Sequence, residues 1–86
     1  MTAVPDFDEV ARAVADRLGR SLADLTPDAL LAAAVCRDAT DLYQLHLVLD
    51  GWVPGFELPE QLERATLGDA HYYLVARLAQ MASAST

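Results

Sequence analysis

Apolar positions recur with helical spacing in three separated stretches of this chain. Phe7, Val10, Val14 and Leu18 fall at intervals of three, four and four residues, with Ala11 beside them, and form one stripe of an amphipathic helix. Asp6 precedes the stripe as an N-cap, Asp8 and Glu9 suit the positive end of the helix dipole, and Gly19 supplies the stop. Leu42, Leu45, Leu49 and Trp52 repeat at three, four and three, with Val48 alongside. They predict a second helix from Asp38–Thr40 to about Trp52, capped by Asp38 or Thr40 and closed by Gly51 and Pro54-Gly55. Leu67, Ala70, Leu74, Leu78 and Met81 make the last long stripe, opened by Thr66 with Asp69 three residues on, a capping-box-like pair.

The stretches between these helices are not ordinary loops. Residues 20–37 carry Leu22, Leu25, Leu30, Leu31 and Val35, too much apolar surface for a solvated segment. They read as a long connection packed on the core, with a turn at Thr26-Pro27-Asp28 and a short helix over Ala29–Val35. Phe56-Glu57-Leu58-Pro59 reads as an extended link, and Pro59–Arg64 as a short third helix with Leu62 inward. No alternating pattern longer than about four residues predicts a sheet. The expected fold is all-α: a four-helix bundle with a long first loop and a short third helix. One domain covers residues 1–86, with an ordered core over about 6–81 and a polar tail over 82–86.

Charge narrows the partners. Thirteen acidic side chains face six basic ones, all of them Arg, for a net charge of −7. That balance argues against nucleic acid and anionic membrane, both of which need a basic surface, and favours partners with basic docking patches. A single cysteine, Cys36, excludes an internal disulfide. The N-terminus lacks a basic region followed by an apolar run, and no apolar run approaches the roughly 20 residues that span a bilayer. A cytoplasmic location is expected.

The landmarks taken together resemble a known family. Leu18-Gly19 closes helix one, Thr26-Pro27-Asp28-Ala29 lies in the long loop, Glu57-Leu58-Pro59 precedes helix three and Ala65-Thr66-Leu67-Gly68-Asp69-Ala70 opens helix four. In this order and spacing they resemble an acyl carrier protein of the polyketide and fatty-acid type, over about residues 7–80. One or two inserted residues near Pro54–Phe56 are the adjustment needed. The family's motif at the start of helix two is Asp-Ser-Leu, preceded by Leu-Gly and one variable residue. The serine hydroxyl becomes the phosphodiester that holds the phosphopantetheine arm, at a helix N-terminus that tolerates phosphate.

At the matching positions this chain reads Val35-Cys36-Arg37-Asp38-Ala39-Thr40. Asp38 is kept. Ala39 stands in the serine's place and has no nucleophile, Cys36 replaces the glycine, and Thr40 replaces the leucine. The resemblance therefore implies a degenerate member without phosphopantetheine, and since no Ser–His–Asp or paired-carboxylate spacing and no glycine-rich phosphate loop occurs, no other cofactor, no catalytic residue and no enzyme are expected. Three departures in one motif favour natural loss of the site over a laboratory Ser→Ala change, which would alter one position. The family presents helix two to its enzymes, and the matching exposed positions here are Asp41, Gln44, Leu47, Asp50 and Gly51. Two acids and the apolar centre remain, so partner contact is expected through Asp41, Gln44, Leu47 and Asp50, with weakened electrostatic steering. Tyr43, Trp52 and Phe56 either add contact area or pack inward. A ketosynthase, acyltransferase or tailoring enzyme of a polyketide or other secondary-metabolite pathway is the implied partner, met non-covalently as accessory, scaffold or regulator.

Two further readings stay open. One is a true carrier seen as a serine-to-alanine variant or using another attachment residue. Cys36 is the candidate thiol there, since a helix start can lower a thiol's pKa, although a lone cysteine is more commonly a small buried hydrophobe. The other is a helical bundle that takes a small apolar ligand between helices two and four, where the alanine-rich stretch 29–34 leaves room. Thr40 is turned about 100° from the serine's position and reads as a capping residue. Ser21 lacks the preceding acid and reads as a turn residue. His46 and His71 fall on different helices with no Cys/His spacing to complete a metal site, and no metal is expected.

Overall fold

The first helix, α1, spans Phe7–Leu18, and its ends are built as the local sequence predicts. The Asp6 carboxylate accepts the Glu9 N–H at 2.8 Å. At the other end Gly19 takes a left-handed conformation at φ 68°, a region that glycine enters without a Cβ penalty. The Arg20 N–H then returns to the Ala15 carbonyl at 2.9 Å, the long bond of a Schellman-type stop. Val10, Ala11 and Val14 are buried, and Phe7 and Leu18 pack at the edge of the core. The Asp8–Arg12 ion pair on the outer face is exposed and contributes little.

The computed structural model describes residues 4–57 and 64–84. Among these the regular elements are helical, joined by one isolated antiparallel bridge between Leu30 and Thr66. After α1 comes a single 3₁₀ turn at Leu22–Asp24, and Leu25 then enters the core. The short helix expected over Ala29–Val35 forms over Leu31–Val35 only, and the residues before it are bridged instead. Ala29 and Leu31 pair with the segment before the last helix: the Leu31 N–H donates to the Ala65 carbonyl at 2.9 Å and the Leu67 N–H to the Ala29 carbonyl at 2.8 Å. With those groups committed, Leu30 is extended, and only Leu31–Val35 coil, as one wide π-type turn closed by the Cys36 N–H on the Leu31 carbonyl at 2.8 Å. Leu25, Leu31 and Val35 are buried as expected. Leu22 and Leu30 are not; they remain 41% and 40% exposed, because the 3₁₀ turn and the bridge aim them outward.

The second helix, α2, spans Ala39–Asp50 and buries Leu45 and Leu49. It stops two residues before Trp52, and tighter turns carry the chain to Gly55, whose φ is 75°. The Asp50 carboxylate accepts the Gly55 N–H at 2.6 Å and so closes this exit. Phe56 is buried and belongs to the core, not to a contact surface, and Trp52 packs half-buried against the same cluster.

The last helix, α3, spans Leu67–Ala84. Its start is the expected reciprocal cap: the Asp69 N–H donates to Thr66 Oγ1 at 3.1 Å, and the Thr66 N–H to the Asp69 carboxylate at 3.0 Å. Leu67, Ala70, Leu74 and Leu78 are buried, whereas Met81, expected to face inward, is 42% exposed. The helix continues to Ala84, three residues past the end of its apolar stripe. The helix expected over Pro59–Arg64 lies outside the described residues except for Arg64, which sits in a turn. The radius of gyration is 12.4 Å, close to the roughly 12 Å of a compact domain of this length, so the long connection is folded onto the body.

Candidate functional site

The junction Arg37–Leu42 is held from three directions. The Asp38 carboxylate caps α2 by accepting the Asp41 N–H at 2.9 Å. Asp41 reaches back in turn, its carboxylate accepting the Arg37 N–H at 2.9 Å. This is a capping box displaced by one residue, and it leaves Thr40 inside the first turn of α2 rather than at the cap. Arg20 supplies the third restraint. Its guanidinium donates to the carbonyls of Ala34 and Val35, at 2.9 and 3.2 Å, and lashes the end of α1 to the turn that precedes the junction. Nothing in the spacing of Arg20 points to this role; an arginine directly after a glycine stop is the nearest signal.

Ala39 is the first residue of α2 and is exposed. It presents a methyl group where the resemblance places a hydroxyl, so no phosphoester can form at that atom. Cys36 lies three residues earlier. The thiol is buried, with 5% of the residue exposed, and its pKa is raised from 9.0 to about 11. Burial is the main cause, the Asp41 carboxylate adds to it, Arg20 opposes it, and Asp38 adds a smaller push. A thiol kept protonated and shielded is the opposite of an activated one.

The four residues expected to meet a partner divide into two pairs. Asp41 is half-buried and engaged in the cap. Gln44 is half-buried and accepts from Arg17 Nε at 2.5 Å, a tie between α1 and α2. Both side chains are hydrogen-bonded within the fold and remain partly exposed. Leu47 and Asp50 are exposed, Leu47 at 38%, and the Asp50 carboxylate also holds the Gly55 N–H. Tyr43, one turn before Leu47 on the same face, is 61% exposed. The outward strip of α2 is thus Tyr43, Leu47 and Asp50.

A shallow groove of about 190 Å³ opens between the Leu31–Cys36 turn and the start of α2, with Ala39 on its edge. It does not lie between α2 and α3, where an apolar site was expected. A larger depression of about 470 Å³, between Gly55–Glu57 and the Tyr73–Gln80 stretch of α3, shares no residue with the junction.

The histidines stay apart. His46 is half-buried on α2, while His71 on α3 donates through Nε2 to the Pro5 carbonyl at 2.9 Å and meets the Phe7 ring edge-on. Among the described residues no three His, Cys, Asp or Glu side chains are grouped to hold a metal, and no helix is long and apolar enough to cross a membrane. Ser21 is an exposed turn residue at the start of the 3₁₀ turn. Compared with protein-family models, curated proteins and solved structures, the chain matches none.

Proposed function

We propose that this chain is an acyl-carrier-like protein that has lost its attachment site and acts by non-covalent contact with a biosynthetic enzyme. The setting is a polyketide or other secondary-metabolite pathway in the cytoplasm. The partner is a ketosynthase, acyltransferase or tailoring enzyme with a basic docking patch. One observation carries the reading: Ala39 stands exposed at the first position of a well-capped α2, with the Asp38 cap retained beneath it. A capped helix start with no side-chain oxygen at its first residue supports that reading. The Tyr43–Leu47–Asp50 strip supports a contact role, since an exposed aromatic and an exposed leucine one turn apart form an apolar anchor beside an acid.

The test is intact mass after incubation with coenzyme A and a broad-specificity phosphopantetheinyl transferase, alongside capture of pathway enzymes on the immobilised chain. No mass gain is expected, together with capture that Leu47→Asp abolishes. A mass gain at any residue, or capture indifferent to Leu47→Asp, overturns the proposal.

A further inference from the structure

One face of α3 borders the larger depression. Tyr73, Ala76, Arg77 and Gln80 lie at helical spacings of three, four and seven residues from the first, so they share that face. The opposite wall is Gly55–Glu57. This wall is set before any ligand arrives: Gly55 turns the chain at φ 75°, and the Asp50 carboxylate holds its N–H at 2.6 Å. Buried Phe56 and half-buried Ala76 supply an apolar floor, while Glu57, Tyr73 and Arg77 are exposed at the rim.

The rim carries both signs of charge, neither of them spent. Arg77 Nη1 donates to Gln80 Oε1 at 3.2 Å, which orients the guanidinium and leaves its Nε–Nη2 edge open. Among the described residues Arg77 and Glu57 form no ion pair. Two opposite charges thus border one depression without neutralising each other.

We infer that this depression binds a small zwitterion that carries an aromatic ring, in chemical class an aromatic α-amino acid. The carboxylate takes the open edge of Arg77, whose two parallel N–H groups match a carboxylate. The ammonium faces Glu57, and the ring lies on the Phe56–Ala76 floor beside the Tyr73 ring. Size agrees. The volume is about 470 Å³, within the roughly 300–1,000 Å³ of small-molecule sites and well above the roughly 150 Å³ that holds benzene alone. One ring therefore leaves room for a charged end. An anion without the ammonium meets Glu57 and the net charge of −7 uncompensated, and a cation without the carboxylate meets Arg77. The site uses neither the junction at Ala39 nor the outward strip of α2, so it stands apart from the carrier reading.

Titration of the isotopically labelled full chain with L-phenylalanine, followed by NMR of the backbone amides, tests it. The expected result is a saturable shift of the Gly55–Glu57 and Tyr73–Gln80 amides, with a dissociation constant on the order of 1 mM for a ligand of about twelve heavy atoms. The probes 3-phenylpropionate and 2-phenylethylamine each keep the ring and one charge. Each should bind about threefold to fivefold more weakly, the worth of one exposed charged contact. Glycine, with both charges and no ring, should not saturate. Arg77→Gln should weaken phenylalanine by the same factor and leave 2-phenylethylamine no weaker, and Glu57→Gln should do so with 3-phenylpropionate unaffected. Both replacements fall at exposed positions, and the probe series on the parent chain needs neither. Shifts that never saturate, shifts centred on the junction, a single-charge probe binding as tightly as phenylalanine, or phenylalanine binding unchanged in the folded Arg77→Gln variant would each overturn the site. The transferase and capture experiments decide the carrier reading separately.

Discussion

Gly68 donates its N–H to the Pro27 carbonyl at 3.0 Å, and a Cβ on Gly68 would lie 2.8 Å from that oxygen. The start of α3 is thereby pressed against the turn of the long connection. The first N–H groups of a helix have no partner within it. Here the Leu67 N–H goes to Ala29, that of Gly68 to Pro27, and that of Asp69 to Thr66. Glycine is used because two backbones must meet; its ordinary cost in a helix, about 1 kcal/mol relative to alanine, is accepted for that approach.

Gly68→Ala therefore opposes two effects. Better helix propensity contributes about 1 kcal/mol, and the clash with Pro27 backbone atoms costs about 1–3 kcal/mol, so the variant should be less stable by on the order of 1 kcal/mol. The thermal midpoint should fall by roughly 4–8 °C per kcal/mol. A variant more stable than the parent in chemical denaturation would show that α3 does not approach Pro27 this closely.

Arg20→Met keeps the aliphatic stem and removes the two donors to Ala34 and Val35. Loss of a charged donor to partly buried carbonyls should cost about 1–3 kcal/mol. Lysine at this position should restore only part, since an ammonium cannot reproduce the guanidinium fork. Amide exchange should accelerate most over Leu31–Asp41. Uniform acceleration along α1 and α3 instead would mean that Arg20 does not anchor the junction.

The caps and the exposed strip of α2 should separate in mutagenesis. Asp38→Ala removes the N-cap of α2 and should cost about 0.5–2 kcal/mol. Leu47→Asp and Tyr43→Ala alter exposed positions and should change stability by no more than about 0.5 kcal/mol while removing partner capture. If Leu47→Asp lowered the denaturation midpoint as far as Asp38→Ala does, Leu47 would belong to the core and not to a partner surface.

Cys36 sets an alkaline limit. Its thiol titrates at about 11 in the fold against an ordinary 9.0, so the folded state holds the proton more tightly than the unfolded chain. The stabilisation is fully present below pH 9.0 and is lost as the pH rises toward about 11. The difference in stability between the parent and Cys36→Ala should hold steady at neutral pH and narrow across that window. Native alkylation by iodoacetamide at pH 8 should be far slower than in denaturant. Rapid native alkylation would contradict a shielded thiol.

The parts of this fold that depend on neighbours in the chain could be read directly. Asp6 caps through Glu9 and Thr66 through Asp69, each three residues away, and Gly19 ends α1 by its own conformation. The same holds for the chemistry of Ala39, since the absence of a hydroxyl needs no fold to establish it. Exposure could not be read this way. No spacing shows that Asp41 is engaged in the cap, or that Gln44 is tied to Arg17, 27 residues away. The alanine-rich sequence over Ala29–Val35 predicts a short helix. It is shortened to Leu31–Val35 because the Ala29 carbonyl accepts from the Leu67 N–H and the Leu31 N–H donates to the Ala65 carbonyl, more than thirty positions on.

The division has one physical cause. Capping, glycine conformation and apolar periodicity are energies of adjacent residues, and they place α1, α2 and the start of α3 along the chain. The Arg20 anchor, the Leu30–Thr66 bridge, the Pro27–Gly68 approach and the groove beside Ala39 arise only when distant segments share space. Backbone groups and side chains there choose partners that no spacing specifies. So the absence of a hydroxyl at Ala39 belongs to the chain as written, whereas the shielding of Cys36 and the outward strip of Tyr43, Leu47 and Asp50 belong to the packed molecule.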